Sequence, residues 1–370
     1  MSSPVSERLN LPDFSLWQRL RDKNIPSSFE IELTPRCNNN CRHCYINIPA
    51  SATPANGELP LELIQKVADQ AAAMGVIWAL LTGGEPLLRN DFEEIYLSLR
   101  KKGLLITVFT NGNLLTMDHV RLFQKHPPRA LEITVYGATP ETYEAVTRVP
   151  GSFETFTRGI ELLKTNTIPF KLKTVALRSN IHEFQHIAAF CRAHSTAPFR
   201  FDPLLHLRYD GDPQRNRDIV SQRLDPNEIA ELDHMDPQRS GELDASCHRL
   251  ITGSGGPRPS LFHCTAATDQ FVLGYDGFLR PCSALWHPEF RRDARFIGLQ
   301  EALQQMVETI NAAQSNDPRY LSTCGQCDKL NLCHWCPAHG YLETGTLDGA
   351  CDYFCATAHS RARRLTKDHD

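Results

Sequence analysis

Short β-rich runs alternate with amphipathic helical segments from residue 29 to residue 202, and this alternation limits the folds open to the chain. The segment 60–74 is an example of the helices, with Leu63, Ile64 and Val67 at helical spacing. Strands that alternate with helices predict a parallel sheet with right-handed crossovers. About six units are present, fewer than the eight of a closed barrel. The sequence therefore predicts an α/β fold built on a partial (β/α)6 TIM-like barrel.

The division of the chain follows from where this alternation stops. The predicted strands are Phe29–Leu33, Ile77–Leu81, Leu104–Phe109, Leu131–Val135, Phe170–Leu177 and Phe199–Asp202. Beyond them, one helix is predicted at Pro226–His234 and a last helix at about Ala356–Leu365, with little helical periodicity between residues 264 and 355. The predicted parts are an N-terminal extension (1–28), the barrel (29–206), a bridge (207–246), a cysteine-rich domain (247–355) and a C-terminal helix and tail (356–370).

Composition excludes some classes of partner. The net charge of −4 over 370 residues gives no basic face, so we expect no nucleic-acid partner. No apolar run reaches the length of a membrane span, so we expect no membrane association. The first ten residues lack the basic-then-apolar pattern of a signal peptide, and we expect a cytoplasmic protein.

The thirteen cysteines are unevenly placed. In a reducing cytosol, clustered cysteines are more often metal ligands than disulfides. The first cluster, Cys37, Cys41 and Cys44, follows the first predicted strand with C-x3-C-x2-C spacing. Three thiolates can ligate three irons of a [4Fe–4S] cluster and leave the fourth iron open, unlike the four cysteines of electron-transfer clusters. A zinc site with His43 as fourth ligand is the alternative.

The second predicted strand ends in Gly83-Gly84-Glu85-Pro86, and a Gly-Gly turn exposes backbone groups at close range. Together with the cysteine spacing, this motif resembles the radical S-adenosylmethionine (SAM) superfamily. The resemblance implies that Cys37, Cys41 and Cys44 hold the catalytic cluster and that Gly83, Gly84, Glu85 and Pro86 bind SAM. By position it implies weaker SAM contacts, each with a structural alternative as a cap or turn residue, from Asn111, Thr134, Arg148 and Asn180.

The later cysteines resemble a SPASM domain, a C-terminal module of some radical SAM enzymes that binds two auxiliary [4Fe–4S] clusters. The resemblance covers residues 264–355, with two residues instead of three before Cys336. It implies a first auxiliary cluster on Cys264, Cys282 and Cys336, with Cys247 as candidate fourth ligand. It implies a second on Cys324, Cys327, Cys333 and Cys355, with Cys351 as the alternative to Cys355. A zinc ribbon would use four cysteines and leave several without a role.

The resemblance also implies a reaction. SAM is cleaved reductively to a 5′-deoxyadenosyl radical, which abstracts hydrogen from a substrate, and the cofactors are SAM and three [4Fe–4S] clusters. We expect a peptide or protein substrate that is oxidised or cross-linked, as in peptide maturases, and an electron donor such as flavodoxin or ferredoxin. Fewer than 30 residues precede the first predicted strand, so a leader would be recognised elsewhere, for example by a separate leader-binding protein. A small-molecule substrate, in cofactor or tetrapyrrole synthesis or alcohol oxidation, is the alternative, and a non-catalytic iron–sulfur or zinc protein is the rival of another class.

Overall fold

A computed structural model of the chain describes residues 25–54, 57–195, 197–251 and 258–367. Most of the predicted N-terminal extension thus lies outside the described residues. The strands are β1 (Ser28–Glu32), β2 (Arg36–Cys37), β3 (Ile48–Pro49), β4 (Trp78–Thr82), β5 (Leu105–Thr110), β6 (Ala130–Val135), β7 (Lys171–Val175), β8 (Arg200–Asp202), β9 (Gln270–Leu273), β10 (Phe278–Arg280) and β11 (Arg292–Asp293).

Nine of the described strands form one sheet in the order β11-β10-β9-β1-β4-β5-β6-β7-β8. Strands β1 and β4 to β8 are parallel, with Glu32 of β1 opposite Thr82 of β4. These six strands are the six that the sequence predicts, and the α/β fold with a partial barrel is confirmed. Strand β9 pairs in parallel with the outer edge of β1, and β10 and β11 follow antiparallel. The cysteine-rich part of the chain therefore continues the barrel sheet.

The helices cover the outer face of the sheet and extend beyond it. They are α1 (Leu61–Met74), α2 (Phe92–Lys101), α3 (Met117–Lys125), α4 (Pro140–Thr147), α5 (Ser152–Thr165), α6 (Phe184–His194), α7 (Pro213–Gln222), α8 (Pro226–Met235), α9 (Pro237–Ile251), α10 (Leu299–Ala312), α11 (Pro318–Ser322), α12 (Leu330–Cys333), α13 (Pro337–Thr344) and α14 (Asp352–Lys367). None of the helices in the described residues is long and apolar enough to cross a membrane.

Alternation along the strands separates the core from the barrel interior. Outward residues such as Ile31 and Leu81 are fully buried against the helices. Inward residues include Glu32, Thr134 and Lys173, so the interior is polar. Because successive residues of a strand point to opposite faces of the sheet, the same strands form both the apolar outer face and the polar barrel interior.

Two segments contain more helix than the sequence predicts. Residues 207–246 contain α7 and most of α9 in addition to α8, the one helix predicted there. Helix α7 was not predicted because it is almost entirely polar and shows no apolar stripe. Helix α10 lies in the segment predicted to have little helical periodicity, and it packs against α1. The last helix begins at Asp352 rather than near Ala356.

A fully buried ion pair joins the barrel to its C-terminal extension. Arg280 of β10 donates from Nη2 to the carboxylate of Glu32 on β1, and both side chains are 0% exposed. The guanidinium carbon of Arg280 lies 3.5 Å from the ring centroid of Trp286. Removing one partner of a buried pair leaves the other charge uncompensated, which costs far more than losing a surface pair.

We expect Arg280→Met to lower the free energy of unfolding by about 3–5 kcal/mol, because Glu32 is left as a buried unpaired carboxylate. The matched control is Arg295→Met, which removes a partly exposed pair with Asp293 and should cost less than about 1 kcal/mol. Anaerobic urea denaturation followed by circular dichroism measures both. Equal stability of the two variants would contradict the role of the buried pair.

Candidate functional site

A cavity of about 470 Å³ lies at the carboxyl ends of the barrel strands. Its near wall contains the thiols of Cys37, Cys41 and Cys44. Gly83, Gly84, Asn111 and Thr134 line the same cavity. Active sites of β/α barrels form at this end of the strands. The structure therefore brings together seven of the residues that the sequence predicts for the site.

Backbone hydrogen bonds dock the glycine turn onto the segment that leads into the cysteine loop. Gly84 N donates to Thr34 O at 2.7 Å, and Glu85 N donates to Arg36 O at 2.8 Å. A Cβ atom on Gly84 would lie 2.3 Å from Arg36 O, and Gly83 has a φ of +132°. Only glycine fits both positions, because the neighbouring groups are backbone and cannot move aside.

The Glu85 carboxylate supports the glycine turn through hydrogen bonds, and Glu85 does not line the cavity. Its Oε1 accepts from Leu87 N at 3.1 Å and from Thr110 Oγ1 at 2.7 Å. Its Oε2 accepts from Asn111 N at 2.7 Å. Burial raises the pKa of Glu85 to about 7, and these donors act against that rise. The carboxylate thus ties the ends of β4 and β5 together behind the cavity.

An asparagine network orients the cysteine loop. Asn111 Nδ2 donates to Asn38 Oδ1 at 2.8 Å and lies 3.7 Å from Cys37 Sγ. Asn113 Nδ2 donates to Asn39 Oδ1 at 3.2 Å, and Asn39 N donates to Cys37 Sγ at 3.4 Å. N–H groups directed at a ligand sulfur are one of the ways in which proteins tune iron–sulfur clusters.

Two arginines that the sequence analysis missed hold the loop from the other side. Arg215 of α7 donates to Asn40 Oδ1 at 2.8 Å and to Cys41 O at 3.3 Å. Arg208 donates to Asn47 O at 3.0 Å. The sequence did contain a signal for the start of α7, since an aspartate followed by a proline, here Asp212 and Pro213, is typical of a helix N-terminus.

Besides Glu85, three more of the predicted SAM contacts lie outside the cavity lining. Pro86 is buried at the start of a short 3-10 helix. Arg148 donates to Asn40 O and to Asp218, so its guanidinium already holds the loop. Asn180 is fully buried with its amide bonded to three backbone groups. Contact of these residues with SAM stays a prediction.

The electrostatics of the loop thiols suit iron ligation. Burial, followed by the nearby Glu85 and the other thiols, raises the pKa of Cys37 well above its ordinary value. Burial and Cys44 raise the pKa of Cys41 to about 12. Thiolates at these positions need a positive partner, which metal ions provide. His43 is buried, with its pKa lowered to about 4 by burial, so it adds no positive charge.

The far wall of the cavity carries polar side chains that the sequence analysis did not single out. It includes His206, His334, His339, Lys173 and Arg239. His206 and His339 come from chain segments 133 residues apart, and no local motif links them. This wall faces the space beside the cysteines, where a substrate would lie.

The C-terminal thiols fall into two groups. Burial and the neighbouring thiols of Cys336 and Cys264 raise the pKa of Cys282 to about 12. Cys336 accepts backbone hydrogen bonds from His339 and Ala338. These three thiols are the ones assigned by resemblance to a first auxiliary cluster. The structure describes the backbone of Cys247 within α9 but not its side chain.

The second group surrounds Cys333. Burial, then Cys355, Cys327 and Cys324, raise the pKa of the Cys333 thiol to about 12. Cys351 is buried in an adjoining apolar cluster, and its Sγ lies 3.7 Å from Gly349 O. Among the residues the structure describes, no three His, Cys, Asp or Glu side chains converge to hold a single metal ion.

The family model of the Radical SAM superfamily matches residues 31–191, from β1 to the end of α6. The match contains the three loop cysteines and the glycine turn. Residues 31–191 therefore form a radical SAM domain. The family implies a [4Fe–4S] cluster and SAM as cofactors, and the thiols and turn described above fit both.

Related proteins align with most of the chain, beyond the residues that the family model matches. An AdoMet-dependent heme synthase from Methanosarcina barkeri is 26% identical over 344 residues, which are 87% of this chain and 94% of the relative. The antilisterial bacteriocin subtilosin biosynthesis protein AlbA from Bacillus subtilis is 26% identical over 88% of this chain and 68% of its own. The structure of Streptococcus suis SuiB bound to precursor peptide SuiA superposes with a TM-score of 0.68 at 14% identity, covering 96% of this chain and 83% of SuiB. That last likeness establishes the shared fold.

Gly84→Ala should disrupt the first cluster while the fold persists, because the new methyl group would push the glycine turn off Arg36 O. We expect the variant to lose the iron bound at Cys37, Cys41 and Cys44, and most SAM cleavage. Gly241→Ala is the control, since a Cβ there meets nothing within 4 Å. Iron analysis after anaerobic reconstitution checks the prediction; wild-type iron in Gly84→Ala would refute it.

Proposed function

We propose that this chain is a radical SAM enzyme that oxidises its substrate by hydrogen abstraction, with two auxiliary clusters of the SPASM type held by residues 247–355. The separation of the cysteines into three spatial groups, one at the cavity and two in the C-terminal part, carries this proposal. When bound at Cys37, Cys41 and Cys44, a [4Fe–4S] cluster supplies the electron that cleaves SAM to methionine and the 5′-deoxyadenosyl radical.

The residues of the chain provide position and shelter for this chemistry. Gly83 and Gly84 line the cavity at the end of β4, where SAM would lie, and Asn111 and Thr134 border the same space. The arginines of the α7 region hold the cysteine loop rigid from outside. A rigid, enclosed site limits reaction of a radical with water and stray donors.

The thiol groups support one assignment of the auxiliary ligands. The first cluster takes Cys264, Cys282 and Cys336, with Cys247 as candidate fourth ligand. The second takes Cys324, Cys327, Cys333 and Cys355. Cys355 is among the thiols that raise the pKa of Cys324 and Cys333 after burial. Cys333 and Cys324 in turn contribute to the raised pKa of the buried Cys351, which is therefore the alternative ligand.

We propose a peptide or protein as the substrate class. AlbA, by its name, serves the biosynthesis of a bacteriocin, and SuiB has been solved with a precursor peptide. AlbA aligns in sequence with 88% of this chain, and SuiB superposes on 96% of it. An electron donor such as flavodoxin or ferredoxin, and a separate leader-binding protein, complete this proposal.

A small molecule is the second candidate, and two observations favour it. The heme synthase from Methanosarcina barkeri aligns with this chain over nearly its whole length. The cavity wall opposite the cysteines carries imidazoles and cations from several elements. A tetrapyrrole, which combines an apolar ring system with carboxylates, suits such a wall.

The triple variant Cys37→Ala, Cys41→Ala, Cys44→Ala should abolish reductive SAM cleavage and keep roughly two-thirds of about twelve irons, because the auxiliary clusters have their own thiolates. Cys191→Ala is the control, because this buried thiol lies in α6 away from the three groups. Anaerobic reconstitution, iron analysis and chromatography of 5′-deoxyadenosine under dithionite give the readouts. Wild-type yields of 5′-deoxyadenosine from the triple variant would remove the catalytic assignment, and about four irons in the wild type would remove the auxiliary clusters.

Cys355→Ala should lose the second auxiliary cluster, while Cys351→Ala keeps a near-full iron count. Cys355 lies in the first turn of α14 beside the Cys324 group, whereas Cys351 precedes the helix. Iron analysis and Mössbauer spectra of the two single variants, prepared in parallel, distinguish the ligands. The reverse result would assign Cys351 instead.

A further inference from the structure

Arg361 is a buried arginine beside the second group of C-terminal thiols. It lies on α14, the helix that carries Cys355, and only 1% of it is exposed. Its Nη1 donates to Leu332 O at 2.8 Å, and Leu332 immediately precedes Cys333 on α12. The guanidinium is therefore fixed at the peptide unit that leads into a proposed cluster ligand.

One carboxylate serves two arginines at this place. Asp233 of α8 is 2% exposed, and its Oδ2 accepts from Arg361 Nε at 2.7 Å. Its Oδ1 accepts from Arg239 Nε, and Arg239 reaches the lining of the large cavity. The three side chains together hold two positive charges and one negative charge. A net positive charge thus lies within the protein, next to the segment that contains Cys333.

One nitrogen of Arg361 has no acceptor. Its Nη2 is buried and makes no hydrogen bond to any part of the chain that the structure describes, although Nε and Nη1 both donate. A buried donor without a partner costs free energy, and the cost is larger when the group is charged. A [4Fe–4S] cluster on four thiolates carries net negative charge and would supply the missing counter-charge beside Arg361.

The space between α12 and α14 is apolar, which increases the reach of this charge. Leu332, Ala358 and Leu365 are buried together, and Cys333 packs against them. Charges interact more strongly in such an interior than at a surface, and salt screens them less. A charge on Arg361 therefore affects the second thiol group more than an exposed charge would.

A second arginine holds the other ligand loop in the same manner. Arg258 Nη2 donates to Cys327 O at 2.8 Å. Arg258 is partly exposed, so water and salt screen its charge more than that of Arg361. Lys329 follows the same loop, but its ammonium pairs with Asp328 at 2.6 Å. Of these cations, Arg361 is the one that lies fully inside the protein.

We propose that Arg361 raises the reduction potential of the second auxiliary cluster and that Asp233 limits this effect. The inference rests on the proposed function, because it requires a [4Fe–4S] cluster on the second group of thiols. Reduction adds one negative charge to the cluster, so a nearby positive charge stabilises the reduced form. Arg361 acts here as a positioning residue of charge, neither a ligand of iron nor a contact of the substrate.

A higher potential suits the oxidation proposed above. After hydrogen abstraction, the substrate radical must lose one electron and one proton to give a product with all its electrons paired. The electron reduces the oxidised cluster, [4Fe–4S]²⁺, to [4Fe–4S]⁺, and the proton leaves to water. A cluster that is easier to reduce is the better acceptor for this electron.

The test is an anaerobic redox titration of the full chain with its clusters reconstituted, followed by electron paramagnetic resonance. The reduced-cluster signal that Cys324→Ala lacks identifies the second cluster, because Cys324 is a ligand in either assignment of the last cysteine. At the wild-type midpoint, Arg361→Gln should lower the ratio of reduced to oxidised second cluster roughly tenfold, which is about 59 mV for one electron. Asp233→Asn should raise this ratio, because it removes a negative charge.

Further variants separate charge from structural damage. Arg361→Lys keeps the charge and should keep a ratio close to that of the wild type. Arg364→Gln is the matched control, since Arg364 is an exposed arginine of the same helix, and the ratio should not change. Arg258→Gln should lower the ratio less than Arg361→Gln does. In Arg361→Gln, Asp233 keeps its bond with Arg239, so no carboxylate is left unpaired.

The signs of the two shifts decide the inference. Unchanged ratios in Arg361→Gln and Asp233→Asn, or shifts of the same sign in both, would overturn it, and so would an Arg361→Lys ratio as low as that of Arg361→Gln. If Arg361→Gln loses the iron of the second cluster, the direction of the Asp233→Asn shift decides alone. Failure of the proposed function would appear differently, as a wild-type protein without any signal that Cys324→Ala removes.

Discussion

Two backbone hydrogen bonds, from Gly84 N to Thr34 O and from Glu85 N to Arg36 O, join the end of β4 to the segment entering the cysteine loop. The positions of the cysteine loop and the glycine turn at the near wall depend on this contact. The absence of a Cβ at Gly84 lets the two backbones touch, and Glu85 extends the contact to β5 through Asn111. These bonds anchor the cysteine loop to the sheet. A loop that must hold three ligands in register gains its precision from such a rigid support.

The sequence predicted the barrel well because its strands and helices have clear periods. All six predicted barrel strands were found within two residues of their expected ends, and the cysteine and glycine motifs lie together as expected. Helix α7 escaped prediction because its residues are almost all polar, and its place is decided by Arg215, whose partners lie in the cysteine loop. A contact of that kind has no signature in a local window of sequence.

The far wall of the cavity shows more clearly that a local window of sequence does not reveal tertiary contacts. His206 follows β8, and His339 belongs to α13 in the cysteine-rich part, so their pairing depends on how the two parts pack. The chain is similar over most of its length both to an AdoMet-dependent heme synthase and to AlbA, a bacteriocin biosynthesis protein, so overall similarity does not decide the substrate. Specificity must then reside in residues that motif spacing does not reveal. Fold and chemistry can be inferred from patterns, whereas the substrate depends on side chains brought together only by tertiary structure.

The pairing of β9 with β1 has a consequence for how the chain reaches its native state. Ser28 lies beside Gln270 in this ladder, although 242 residues separate them. During synthesis, β1 can pair with β4 early, but its other edge stays open until most of the chain has left the ribosome. Closing so long a segment costs conformational entropy and slows folding, and an open strand edge invites pairing with other chains. We infer that the interval before β9 arrives is when a newly made chain is most exposed to aggregation.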